Sequence, residues 1–132
     1  MKRLFIIALC VCIFSAFVSC NNTTDEGERA AATAKMLYDS LFAGRADIFI
    51  GGHYDADSLP TKYREERIDN AKMFVEQQNS EHRGVQSVRI SRAEVVDSLN
   101  KAAVFLILCY GDSTNEEIVV PMIKQANEWM LK

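Results

Sequence analysis

The chain has 132 residues, 48% hydrophobic and 25% charged, with a formal net charge of −3. That length leaves room for one domain, so any function must be served by one core and its surface. An acidic balance without a basic stripe excludes nucleic acid as a partner, because phosphates demand clustered Lys and Arg.

The first element is not part of the fold. Lys2 and Arg3 precede a run from Leu4 to Val18 that is apolar except at Ser15, the pattern of a secretory signal. The run is shorter than the roughly 20 residues a spanning helix requires. It also lacks the polar face that a helix on a protein surface would carry. It ends in Phe17-Val18-Ser19-Cys20, which resembles a bacterial lipobox, with Phe17 where leucine is usual. The resemblance implies removal of residues 1–19 and lipid on Cys20; the alternative is cleavage near Ser19 that leaves Cys20 a free thiol. The expected division is a signal peptide at 1–19, a lipidated N-terminus and flexible tether at 20–29, and a folded domain at 30–132. The processed chain loses Lys2 and Arg3 and no acid, which takes its net charge to −5. Cys10 and Cys12 leave with the signal, so Cys109 is the one cysteine inside the domain. No internal disulfide is then available, and Cys109, within an apolar strand, reads as a buried structural thiol.

Helical spacing starts at Ala30, with Ala34, Leu37 and Leu41 on one stripe and Ala31, Tyr38 and Phe42 beside it. Gly44 stops this helix. Asp47 is placed to cap a short second helix through Ile48, Phe49 and Ile50, which Gly51-Gly52 breaks. Residues 53–59 read as a loop, and a third helix follows from Ser58 and Pro60 to His82 and Gly84, with Ile68, Ala71, Phe74 and Val75 as its apolar face. From Val85 the period becomes two. Val88 and Ile90 alternate, a bulge is expected near Ala93–Val96, and Asp97–Asn100 turn the chain. Ala102–Tyr110 is apolar on both faces and therefore central, Gly111–Thr114 is a turn, and Glu117–Lys124 is a third strand. Pro121 within that strand calls for an edge position or a bulge. Gln125–Asn127 then turns into a closing strand over Trp129, Met130 and Leu131.

Three helices followed by a four-stranded antiparallel meander make an α+β plan. The first helix ends in Phe42-Ala43-Gly44-Arg45-Ala46-Asp47, and the last hairpins carry Tyr110-Gly111-Asp112 and Asn127-Glu128-Trp129-Met130-Leu131. Together with Gly84-Val85-Gln86-Ser87-Val88 opening the sheet, these segments resemble the nuclear transport factor 2-like superfamily. Within it they are most similar to small bacterial lipoproteins of unknown function of the Bacteroidetes type. The resemblance implies a cone-shaped domain, three helices packed on a bent meander, with a pocket between them. It also implies a cell-envelope location, the lipid on Cys20 holding the domain to a membrane.

The expected lining of that pocket is aromatic: Tyr38, Phe42, Phe49, Phe74 and Phe105. Neither face of the central strand supplies an acid, a base or a histidine. The expected function is accordingly a non-catalytic domain that binds a small apolar ligand or an envelope protein, with no cofactor. Two alternatives stay open. One is an isomerase or lyase resembling ketosteroid isomerase or polyketide cyclases, with Tyr38 and a loop carboxylate or histidine as acid and base. The other is a structural homodimer. In extended backbone His53, Asp55 and Asp57 would point the same way, a spacing a divalent metal can use. With no fourth ligand apart from His82, a solvated loop outweighs a metal site. The triplet Asp-Ser-Leu occurs at Asp39, Asp57 and Asp97 and resembles an O-glycosylation acceptor of Bacteroidetes bacteria. Ser58 and Ser98 lie in loops that could take it, whereas Ser40 lies in a helix.

Overall fold

The computed structural model describes residues 22–132 except Asp97 and Leu99, and the side chains from Asp25 onward. The expected signal peptide and Cys20 lie outside the described residues. Three helices, α1 (Asn22–Phe42), α2 (Ala46–Gly51) and α3 (Thr61–His82), precede four strands, β1 (Val85–Val96), β2 (Lys101–Tyr110), β3 (Asn115–Gln125) and β4 (Glu128–Leu131). A single turn of 3₁₀ helix, Ala56–Ser58, lies between α2 and α3. The strands form one antiparallel sheet in sequence order.

The sheet's inner face follows from the period of β2. Ala102, Val104, Leu106, Leu108 and Tyr110 are buried, while Ala103, Phe105, Ile107 and Cys109 are half-buried on the outer face. Against the inner face lies α1, whose Ala30, Ala31 and Ala34 are too small to hold it away. Each large aliphatic side chain buried there stabilises the fold by about 1.5–3 kcal/mol. A second, smaller cluster joins Leu41 of α1 to Ala46 and Ile50 of α2 and Ala71 of α3.

Helix α1 starts well before the expected Ala30, so residues 22–29 are helical and not a tether. The cause is tertiary. Glu26 accepts a hydrogen bond from Trp129 Nε1 at 3.0 Å and pairs with Lys124 at 2.9 Å and Arg29 at 2.7 Å. Those bonds tie the first turns to β3 and β4. Lys124 above all, then Trp129 and Arg29, holds the Glu26 carboxyl below the usual range.

Asp47 does not cap α2. The residue before the helix is Arg45, and Asp47 lies in the first turn, paired with Arg45 at 3.3 Å. Gly44 does take the left-handed conformation (φ 87°) after α1. Pro60 stands immediately before α3 with extended backbone, and Arg83 (φ 60°) closes the helix, followed by Gly84 (φ 80°), whose N–H returns to the Gln78 carbonyl.

The irregularity in β1 comes slightly earlier than expected. The register slips between Ile90 and Arg92, so Val88 and Ile90 lie opposite Leu108 and Leu106, while Ala93 and Val95 lie opposite Val104 and Ala102. One extra residue moves the inward positions from even to odd numbers. A second slip separates Val85 from Ser87. Pro121 pairs with Ala103 in an unbroken register, and its carbonyl accepts from Lys132 N–H. Its nitrogen therefore faces the side where β4 ends, and no bond to β2 is lost. The 53–59 segment is more than a loop: Tyr54 N–H donates to Leu131, and Leu131 N–H donates to Gly52, covering the free edge of β4.

Candidate functional site

Helix α1 covers β1 and the middle of β2 but leaves the Tyr110 end of the sheet bare. Helix α3 stands across that end without filling it; Ala71, Phe74 and Gln78 are the residues it turns to the gap. The result is a cleft of about 390 Å³, inside the range of small-molecule sites. Its helical wall is Tyr38, Leu41, Phe49, Ala71, Phe74 and Gln78. Its sheet wall is Leu108, Tyr110, Glu116 and Ile118, with Val119 at the rim.

The aromatic wall is held by edge contacts. Tyr38 meets Phe49 edge-on with centroids 5.1 Å apart, and Phe42 stands behind, 6.3 Å from Tyr38 and 6.2 Å from Phe74. Burial pushes the Tyr38 hydroxyl above its ordinary ionisation range. Of the five expected lining residues, Tyr38, Phe49 and Phe74 face the cleft and Phe42 backs it. Phe105 does not belong there. It lies on the outer face of the sheet beneath Arg92, whose guanidinium is 3.8 Å from the ring centroid, because β2 alternates and its even-numbered residues take the inside.

The far end of the cleft is polar. Tyr110 O–H donates to Glu116 Oε2, and the Tyr110 ring stacks on His82 at 4.2 Å between centroids. Burial first, then the Glu116 hydrogen bond and the charges of Glu116, Asp112 and Glu81, push the Tyr110 hydroxyl up to about 12. His82 bonds to Asp112 at 3.1 Å. Bonds from the Thr114 hydroxyl and backbone N–H, with desolvation opposing and His82 adding, hold Asp112 at about 2. The β2–β3 turn is fixed here by Gly111 N–H to Gly84 and Asp112 N–H to His82, which satisfy the carbonyl of the last α3 residue and one just beyond it. Beside this group lies Gln78, 8% exposed, with its Oε1 buried and without a hydrogen-bond partner. A buried acceptor left unpaired costs about 1–3 kcal/mol.

Glu116 and Gln78 are the residues that sequence reasoning passed over. Both interrupt an apolar period: Glu116 shares a face with Ile118, Val120 and Met122, and Gln78 follows Ala71 and Phe74 down one side of α3. From Ala102 to Tyr110 the central strand has no carboxylate or histidine, and the carboxylate of the cleft comes from its neighbour β3.

In the 53–57 segment His53 and Asp55 are turned to other partners. Arg67 holds both carboxylate oxygens of Asp55, at 3.0 and 3.1 Å, and keeps that carboxyl below its usual range. His53 Nδ1 turns back to the carbonyls of Phe49 and Ile50. His82, the supposed further ligand, is 15 residues beyond Arg67 on α3, about 22 Å along the helix. No group of three metal-ligating side chains occurs among the described residues. Cys109 is half-buried on the outer face, so it is not the deeply buried thiol expected; the Ser87 hydrogen bond, offset by desolvation and aided by Arg89, draws it below the usual thiol range. Ser58 and Ser98 are exposed, and Ser40 Oγ donates to the Met36 carbonyl within α1.

No protein-family model matches the sequence, and no curated protein matches it. A solved structure does. It is a Campylobacter jejuni protein, provisionally named an NTF2-like (nuclear transport factor 2-like) transpeptidase, which superposes with a TM-score of 0.56 over 76% of this chain and 94% of that one. The fold is NTF2-like. At 11% identity the likeness concerns backbone alone, and the NTF2-like cone is here the bent meander with α1 across it and α3 over its open end. Among the described residues, no helix is long and apolar enough to cross a membrane.

Proposed function

We propose that this is a lipid-anchored protein of the bacterial envelope whose NTF2-like cleft binds a small amphipathic molecule. The observation that carries the ligand-binding part is the cleft itself: about 390 Å³, aromatic on one side, with Gln78, Tyr110 and Glu116 gathered at one end. A ligand whose polar end reaches Gln78 gives that amide the partner it lacks. The anchoring part rests on the signal pattern and on Cys20. The neighbour's named transpeptidase activity would need a nucleophile, and neither serine nor cysteine lines this cleft among the described residues.

Native mass spectrometry of protein extracted from the envelope tests both parts. The expected spectrum carries an acyl mass that disappears in Cys20→Ser, and a smaller adduct that disappears in Ala71→Phe, whose ring fills the cleft. An unmodified Cys20 overturns the anchor. An adduct unaffected by Ala71→Phe overturns the cleft as its site.

The Tyr110–Glu116 contact favours a second reading, an isomerase or lyase in which Glu116 takes a proton from carbon. That reading requires deuterium to enter a C–H position of the bound molecule in heavy water, and Glu116→Gln to stop it. The binding reading expects no exchange.

A further inference from the structure

We infer that the molecule the cleft takes is a small organic cation, an ammonium group carried on an aromatic or aliphatic body. This deepens the ligand-binding reading above and rests on it. The cleft offers what an ammonium seeks. Tyr38, Phe49 and Phe74 present ring surfaces along one wall, and ring faces attract cations. Glu116 is the one formally charged residue in the lining, and no Lys, Arg or His lines the cleft among the described residues. Tyr110 occupies Glu116 Oε2, which leaves Oε1 open to a further donor.

The second and independent sign is Gln78. Its side chain is more than nine-tenths covered, it lines the same cleft, and its Oε1 has no donor. An ammonium has three donors: one bonds Glu116 Oε1, and the others serve Gln78 once its buried Oε1 turns into the cleft. The surroundings agree in sign. Glu81 and Asp112 add their charges to that of Glu116 at the Tyr110 hydroxyl, although Asp112 is already engaged by Thr114 and His82. A carboxylate or phosphate ligand entering this end would face Glu116 with no cation in the lining to offset the repulsion.

Three probes of one shape decide it: 2-phenylethylammonium, 2-phenylethanol and 3-phenylpropionate, titrated calorimetrically into the full-length protein in detergent micelles. The ammonium is expected to bind about 10-fold more tightly than the alcohol, a difference of about 1.4 kcal/mol. The propionate is expected to bind more weakly than either. Glu116→Gln should erase the preference and leave the alcohol's affinity in place, and Gln78→Met should weaken the ammonium by a few-fold. Equal affinities, or a preference for the propionate, overturn the cation inference and leave the ligand-binding cleft standing. Binding by none of the three overturns both. The wild-type comparison alone is decisive should either variant fail to fold.

Discussion

Tyr110 O–H donates a hydrogen bond to Glu116 while its ring lies on His82, so its ionisation reports on the polar end of the cleft. In an absorbance titration Tyr110 should ionise near 12, and Glu116→Gln should lower it while leaving it above the ordinary 10, since one negative charge is gone but burial, the largest cause, remains. Asp112 reports on the turn beside it. Its folded value, about 2, is below its ordinary 3.8, so its contribution to stability is complete above about pH 4 and is lost as pH falls through about 2. Urea midpoints measured from about pH 5 downward should therefore fall less steeply for Asp112→Asn than for the wild type. At this scale the sequence was half legible. Tyr38 and the phenylalanines announce themselves by helical spacing, but Glu116 and Gln78 look like ordinary surface residues until the apolar period around them is extended through them. Phe105 misled because a strand that is apolar on both sides does not say which side is covered.

Elements depend on contacts that local propensity does not contain. The first two turns of α1 stand on Trp129, 103 residues from Glu26 in sequence. Trp129→Ala should cost about 3–5 kcal/mol for the lost buried ring. Hydrogen exchange should then show residues 25–29 losing protection before the rest of α1. Gly52 illustrates the same dependence. It reads as a helix breaker, yet a Cβ there would fall 2.5 Å from Leu37 Cδ2, so glycine is required by the approach of α2 to α1. Gly52→Ala should destabilise by about 1–3 kcal/mol, visible as a lower thermal midpoint with unchanged secondary structure. The bulge in β1 lay nearer to legibility: the change from Val88 and Ile90 to Ala93 and Val95 is in the letters, and the pairing with β2 adds only the residue at which it happens.

For the molecule as a whole the consequence is an unfilled end. α1 lies close because alanines line it, whereas between α3 and the sheet a mostly apolar cleft stays open, with the unpaired Gln78 Oε1 in its wall. Any ligand that occupies it selectively should stabilise the fold by about 2.7 kcal/mol at a hundredfold excess over its Kd. That would raise the wild-type thermal midpoint, and Ala71→Phe should abolish the rise. The sequence by itself determined the order of helices and strands, the period of each, and the apolar run from Leu4 to Val18. These are local properties, written in the spacing of apolar residues and in Gly and Pro at the turns. Only the tertiary structure decided that residues 22–29 continue α1, that Phe105 faces outward, and that Gln78, Tyr110 and Glu116 line one cleft. Those three come from α3, β2 and β3, and what brings them together is the docking of the β2–β3 turn on the end of α3, a contact between segments that no local period records.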